Sequence, residues 1–196
     1  MTESEAIEVF GHLFDPINQI VRNSFDTVRE LNDYKRSKSF KLNLPSVNAM
    51  EMYGCLVNNS INYFKDNGDF PNIKPVLHNN SRVFGLKYLD SAFIRFKKVD
   101  ENFLPSQGIT DQAKELNYQL PTEYFPSKPC IITIGYHVDK TWSELININM
   151  MCLKGREHVW NYPIDRESIP TIEIDFPEYK EDTSYSVEAL IKTKLK

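Results

Sequence analysis

The sequence predicts an α+β fold in which N-terminal helices pack on a mainly antiparallel β-sheet. Apolar residues in the first third of the chain recur at the spacing of amphipathic helices. From about residue 82, β-branched and aromatic residues alternate with polar ones between turn residues, as in strands. Helices that precede strands without regular alternation are typical of the α+β class.

The length and composition predict a single domain. The 196 residues are 41% hydrophobic and 26% charged, which is ordinary globular usage. We expect one domain over residues 1–196, with a helical part at 1–68, a sheet part at 82–176 and a polar tail at 178–196.

Three helices are expected in the helical part. Thr2 and Glu5 form a capping-box pattern, which predicts a short opening helix. Asp15 and Pro16 suit an N-cap followed by proline at the first position of a longer second helix. Pro45 begins the third helix, which we expect to end before residue 68.

The strands are expected in the second half of the chain. Their predicted ranges are 82–88, 92–99, 130–138, 145–153, 159–164 and 171–176. The first two flank a tight turn at residues 89–91, which suits a hairpin. A short helix is expected at residues 110–117, and the tail either forms a helix at about 187–195 or remains mobile.

Several classes of protein are disfavoured. The longest apolar run, residues 130–134, is far shorter than the ~20 residues of a membrane-spanning helix, and the N-terminus is acidic. Cys55, Cys130 and Cys152 are widely spaced, which indicates reduced thiols and a cytoplasmic location. No glycine-rich phosphate loop and no zinc motif is present, so no cofactor and no metal are predicted.

The most distinctive segment is basic. Five cations and one carboxylate lie between residues 82 and 99, although the whole chain has a net charge of -4. On a strand, Arg95 and Lys97 share one face, about 7 Å apart. The candidate nucleic-acid or phosphate site consists of Arg82, Phe93, Arg95, Lys97 and Lys98, with Phe93 exposed to stack a base. Alternatively, the lysines protect a sheet edge or dock an acidic protein.

Other groups of residues are compatible with a catalytic function. Residues 95–97 occupy the acid-x-lysine position of metal-dependent nucleases, but Arg95 cannot bind a cation, so any nuclease would be degenerate. His137 and His158 would meet if their strands paired. Cys130 or Cys152 beside a histidine would be a candidate nucleophile. Whether the protein is an enzyme stays undecided.

Aromatic and methionine residues cluster at 142–151. Trp142, Met150 and Met151 suit either core packing or an apolar surface for a protein partner. The second interpretation would make the protein a non-enzymatic adaptor.

A family resemblance is carried by an ordered set of motifs. Residues 93–102 read FIRFKKVDEN, and Ser106 and residues 110–113 (TDQA) follow. An LP pair at 120–121 and a GYHVD segment at 135–139 come next. This order resembles an uncharacterised bacterial and prophage family with an RFKK-[LV]-D strand, an S-x-x-x-T-x-Q-A stretch, an LP connector and a GY-x-[LV]-D strand.

The resemblance implies a function by association. Members of that family are encoded beside helix-turn-helix proteins with an ImmA/IrrE-type metallopeptidase domain, as in toxin-antitoxin or phage-defence pairs. It therefore implies a toxin or effector that a protein partner controls, and it supplies no catalytic residues. The family's CPNG-like turn reads CLKG at residues 152–155 and lacks the proline and asparagine. A nucleic-acid-binding or degenerate nuclease module using residues 95–98 is the alternative function.

Overall fold

The computed structural model describes residues 1–38, 45–65, 68–78, 83–105, 116, 118 and 130–165. Its helices are α1 (Glu3–Phe10), a 3₁₀ turn (Gly11–Leu13), α2 (Phe14–Ser37) and α3 (Pro45–Lys65). Its strands are β1 (Ile73–His78), β2 (Val83–Tyr88), β3 (Ala92–Lys98), β4 (Cys130–Val138), β5 (Leu145–Lys154) and β6 (Glu157–Pro163). Helices packed on a mostly antiparallel sheet confirm the predicted α+β class.

The six strands lie in the sheet in chain order. Four of the five neighbouring pairs in this described sheet are antiparallel, and β3 and β4 are parallel. A parallel pair cannot be joined by a hairpin, because the chain must return to the end where the first strand began. Residues 99–129 make this return between β3 and β4.

One face of the sheet carries the main core. Alternate residues of the central strands, among them Ile94, Ile132 and Met150, are buried there with apolar residues of the three helices. An ion pair between Arg22 of α2 and the buried Asp165 after β6, 2.5 Å apart, also ties the helical layer to the sheet.

The other face carries two smaller buried clusters. Phe93 and Ile131 pack with Leu116 in one of them. The second cluster brings Val99 against Met151 and Leu153, with Phe103 and Leu104 packed beside it. The beginning of the β3–β4 connection therefore folds back over this face.

The helix starts are partly as predicted. The capping box is confirmed, because Thr2 Oγ1 accepts from the Glu5 amide at 3.3 Å and Glu5 Oε2 accepts from the Thr2 amide at 2.8 Å. The expected N-cap at Asp15 is wrong. α2 begins at Phe14, directly after the 3₁₀ turn, and Leu13 precedes it without a side-chain cap. The preceding turn continues into α2, so no capping side chain is required.

The sheet contains one strand that the pattern does not predict. β1 contains Lys74 and Pro75, which weaken the apolar alternation. Among the described strands it pairs with β2 only, as suits an edge strand with proline. β4 has its predicted bounds, whereas β6 begins two residues early. The predicted strand 171–176, the tail 178–196 with its helix at 187–195, and most of the helix 110–117 lie outside the described residues.

No helix in the described ranges is both long and apolar enough to span a bilayer.

A glycine substitution tests the packing between β2 and β3. A Cβ atom at Gly85 would meet the Phe93 ring and lie 2.5 Å from the Ile94 carbonyl oxygen. We expect Gly85→Ala to lower the free energy of unfolding by about 1–3 kcal/mol because of this overpacking. Urea denaturation followed by circular dichroism measures the change.

Gly54→Ala is the matched control. Gly54 is exposed on α3, and a Cβ atom there meets nothing within 4 Å. We expect this change to raise the free energy of unfolding by roughly 0.5–1 kcal/mol, because alanine is the better helix former. Equal effects of the two substitutions would contradict the described strand packing.

Candidate functional site

The three cationic side chains of strand β3 lie in different environments. Arg95 and Lys97 alternate with Ile94 and Phe96, as predicted, and their side chains lie on the face away from the helices. Lys98 lies on the opposite side of the strand. The predicted shared face of Arg95 and Lys97 is therefore present, but the exposure of the two side chains differs.

Arg95 is an interior residue. Its side chain is 4% exposed, and Nε donates to Thr133 Oγ1, directly across on β4, at 3.0 Å. Loss of hydration lowers the pKa of Arg95 to about 10, so the guanidinium is still charged at neutral pH. The expectation that Arg95 presents its charge on an accessible surface is wrong, because the neighbouring structure buries this part of the face.

Phe93 does not contribute as expected. Phe93 is fully buried between Leu116 and Ile131, so its predicted role as an exposed stacking platform is wrong. Phe93 supplies apolar area to the second face of the sheet instead. Arg82 lies outside the described residues.

Lys97 and Lys98 are the cations of the basic strand that reach solvent. Lys97 is exposed, and its pKa is lowered by partial desolvation and by the nearby charge of Arg95. The Lys98 ammonium lies 4.8 Å from the centroid of the Trp142 ring, a cation–π distance. Desolvation lowers the pKa of Lys98, and Asp139 opposes this shift.

A groove of about 540 Å³ opens where β3 and β4 end. Its lining includes three basic side chains, Lys98, His137 and Lys140, and two acidic ones, Asp100 and Glu101. The remaining lining residues are Val99, Leu104 and Val138. We call this feature the carboxyl-end groove. Lys140 and His137 were not among the predicted site residues, although both lie in or just after the GYHVD segment.

Two carboxylates near the groove are engaged by their own loops. Asp100 Oδ1 accepts from the amides of Asn102 and Leu104, both at 2.9 Å. Asp139 accepts from the amides of Ser143 at 2.7 Å and Glu144 at 2.8 Å. Backbone donors thereby partly satisfy the charge of these two carboxylates.

The pKa of Asp139 reflects this loop. Partial burial favours the neutral acid, but the hydrogen bonds from Thr141, Glu144 and Ser143 together outweigh it. They hold the pKa of Asp139 well below its usual range. The carboxylate therefore stays ionised beside Lys98 throughout the physiological range.

The histidines do not form a joint site. β5 lies between the strands of His137 and His158, so the expected meeting across the sheet is wrong. His158 Nε2 instead lies 3.2 Å from the Asn102 carbonyl oxygen. Among the described residues, no group of three or more His, Cys, Asp or Glu side chains is placed to hold a metal ion.

The thiols are also separated from these histidines. Cys130 and Cys152 pack with the main core on the helix side of the sheet, whereas His137 lies on the other side. The strand itself therefore prevents a Cys–His nucleophile pair with His137.

The aromatic and methionine segment 142–151 is largely interior. Trp142, Ile148, Met150 and Met151 are each at most 1% exposed. The interpretation of these side chains as an apolar surface for a partner is wrong, because they fill the cores on the two faces of the sheet.

Comparisons of the chain with protein families, with curated proteins and with solved structures found no match.

Substitutions distinguish the roles of the two cations. We expect Arg95→Ala to lower the free energy of unfolding by about 2–4 kcal/mol, because it leaves a cavity and removes a buried hydrogen bond. Lys97→Ala, at an exposed position on the same strand face, should change it by at most about 0.5 kcal/mol. Thermal and urea denaturation of both variants measure this contrast. Similar stability of the two variants would contradict the interior placement of Arg95.

Proposed function

We propose that the protein is the toxin or effector component of a bacterial toxin-antitoxin or anti-phage pair. A helix-turn-helix protein of the ImmA/IrrE metallopeptidase type would hold it inactive in the cytoplasm. Two of the sequence motifs that support this proposal are far apart in the chain but neighbours in the sheet. Their spatial arrangement is the main observation in favour of the proposal.

The RFKK and GYHVD segments form neighbouring strands. The first belongs to β3 and the second to the end of β4, and these strands are parallel. Parallel strands end at the same edge of a sheet, where ligands of open α/β sheets commonly bind. Both segments therefore converge on the carboxyl-end groove. This convergence favours the groove as the working surface of the effector.

The lining of the groove is balanced between two lysines and two carboxylates, and the lysines support a second, more specific function, which is contact with nucleic acid. Lys98 and Lys140 line the groove, and Lys97 is exposed on the adjacent strand position. Lysines of this kind bind phosphate groups, and binding releases counterions from the nucleic acid. The backbone amides that donate to Asp100 and Asp139 place partial positive charge beside these carboxylates, which offsets part of their repulsion of a phosphate.

This proposal replaces the earlier set of contact residues. Lys97 and Lys98 are kept, Lys140 is added, and the buried Phe93 and Arg95 serve as support. A non-enzymatic adaptor would use the same groove for a protein alone, so nucleic-acid affinity distinguishes the two functions.

Growth of a bacterial host tests the effector function. Inducible expression of the chain alone should arrest growth, and co-expression of the neighbouring gene product should restore it. The two proteins should also co-purify. A harmless chain that binds no product of its own operon would refute the effector proposal.

A salt titration tests nucleic-acid contact independently. Fluorescence anisotropy with labelled single-stranded and duplex DNA and RNA should show weaker binding by Lys98→Ala/Lys140→Ala. The slope of log K against log salt should fall by about 0.7–0.9 for each lost phosphate contact. Lys74→Ala/Lys154→Ala removes two exposed lysines outside the groove and should leave this slope unchanged. Equal affinities of both double variants would exclude the groove as the nucleic-acid site.

A further inference from the structure

Two of the three cysteines are neighbours on adjacent strands. Ile132 of β4 lies directly opposite Cys152 of β5. Cys130 precedes Ile132 by two residues, so it shares the face of Ile132 and is diagonal to Cys152. Diagonal positions of an antiparallel pair lie about 7–8 Å apart, which is at the upper limit of the Cα separation that a disulfide spans, so a small shift of the strand ends would accompany a bridge.

The two thiols interact directly. A hydrogen bond between them lowers the pKa of Cys130 and raises the pKa of Cys152, because it favours the thiolate of the first and the thiol of the second. Cys130 is therefore the more acidic thiol of the pair. Cys55, on α3, has its pKa raised by burial and by Glu51, which makes its thiol the less reactive.

The solvent exposure of the two cysteines also indicates that Cys130 is the thiol that reacts first. Cys130 is the first residue of β4 and is only partly buried, whereas Cys152 is 6% exposed and lies opposite Trp160 of β6. A small oxidant can thus reach Cys130 first. Cys152 lies in the adjoining core, where a thiol is protected until its neighbour has reacted.

We propose that Cys130 and Cys152 are a redox modification site, at which a peroxide converts the two thiols into an intramolecular disulfide. The Cys130 thiolate attacks one peroxide oxygen, the O–O bond breaks, and sulfenic acid and hydroxide form. The Cys152 thiol then attacks the oxidised sulfur and expels its hydroxyl group as water. With hydrogen peroxide as the oxidant, the hydroxide takes up the proton that Cys130 lost, so that oxidation of the two thiols to a disulfide reduces the peroxide to two molecules of water. A thiol reductant reverses the change.

The disulfide would join β4 and β5 at a defined place. The β4–β5 hairpin has its turn, residues 139–144, at one end. The disulfide would link the two strands at the opposite, open end, near the first residue of β4 and the last residues of β5. The carboxyl-end groove lies beside that turn. The redox site is therefore independent of the proposed function, and either can fail without the other.

Mass spectrometry of the full chain tests the site. In a Cys55→Ser background, Cys130 and Cys152 are the remaining cysteines of the chain. Stoichiometric hydrogen peroxide should remove both titratable thiols and reduce the intact mass by that of two hydrogen atoms. Non-reducing peptide mapping should show one cross-link between residues 130 and 152, and dithiothreitol should restore both thiols.

Two variants separate the pair from a single reactive thiol. Cys55→Ser/Cys152→Ala should trap Cys130 as a sulfenic acid that dimedone labels, without the loss of two hydrogen atoms. Cys55→Ser/Cys130→Ala should keep its buried Cys152 unlabelled. Circular dichroism establishes that each variant is folded, and Cys152→Ser replaces Cys152→Ala if the alanine variant is not. Retention of both thiols in folded Cys55→Ser protein, or cross-links between molecules only, would overturn the proposal.

Discussion

The parallel pairing of β3 with β4 is the constraint on which the rest of the molecule depends. It interrupts an otherwise antiparallel meander and forces the chain to cross from one end of the sheet to the other. The start of that crossing folds over the second face and buries Val99 against Met151. The same pairing brings the ends of both strands to one edge, where the carboxyl-end groove forms. Core and candidate site thus have a common cause.

The burial of Arg95 shows how this constraint changes the meaning of a sequence pattern. In an exposed strand, Arg95 and Lys97 would be two equivalent cations on one face. Because the second face is partly covered, Arg95 donates to Thr133 in the interior, whereas Lys97 stays exposed. The guanidinium tolerates this position because it is hydrogen-bonded to Thr133 and because a guanidinium is more weakly hydrated than an ammonium group. The basic strand is consequently both a structural element and, at its end, part of the groove.

The alternation of apolar residues and the helix-capping motif predicted those elements whose structure is determined by neighbouring residues in the sequence. The capping box at Thr2 and both ends of β4 were predicted, because hydrogen-bonding side chains and period-two burial act over a few residues. β1 was not predicted, since an edge strand needs less apolar alternation and tolerates Pro75. Of the candidate site, Lys97 and Lys98 keep a surface role, whereas the roles expected for Phe93 and Arg95 do not hold.

The sequence by itself determined the α+β class, the three helices and most of the strands, because the period of the apolar residues decides which side of each element is buried. Only the tertiary structure decided which polar faces are covered and which distant segments meet. Lys140 joins Lys98, and Cys130 reaches Cys152, through strand order and register. Both contacts depend on the pairing of strands that are distant in the chain. The free energy of this pairing is distributed over the whole sheet, so no single residue in the sequence reveals it.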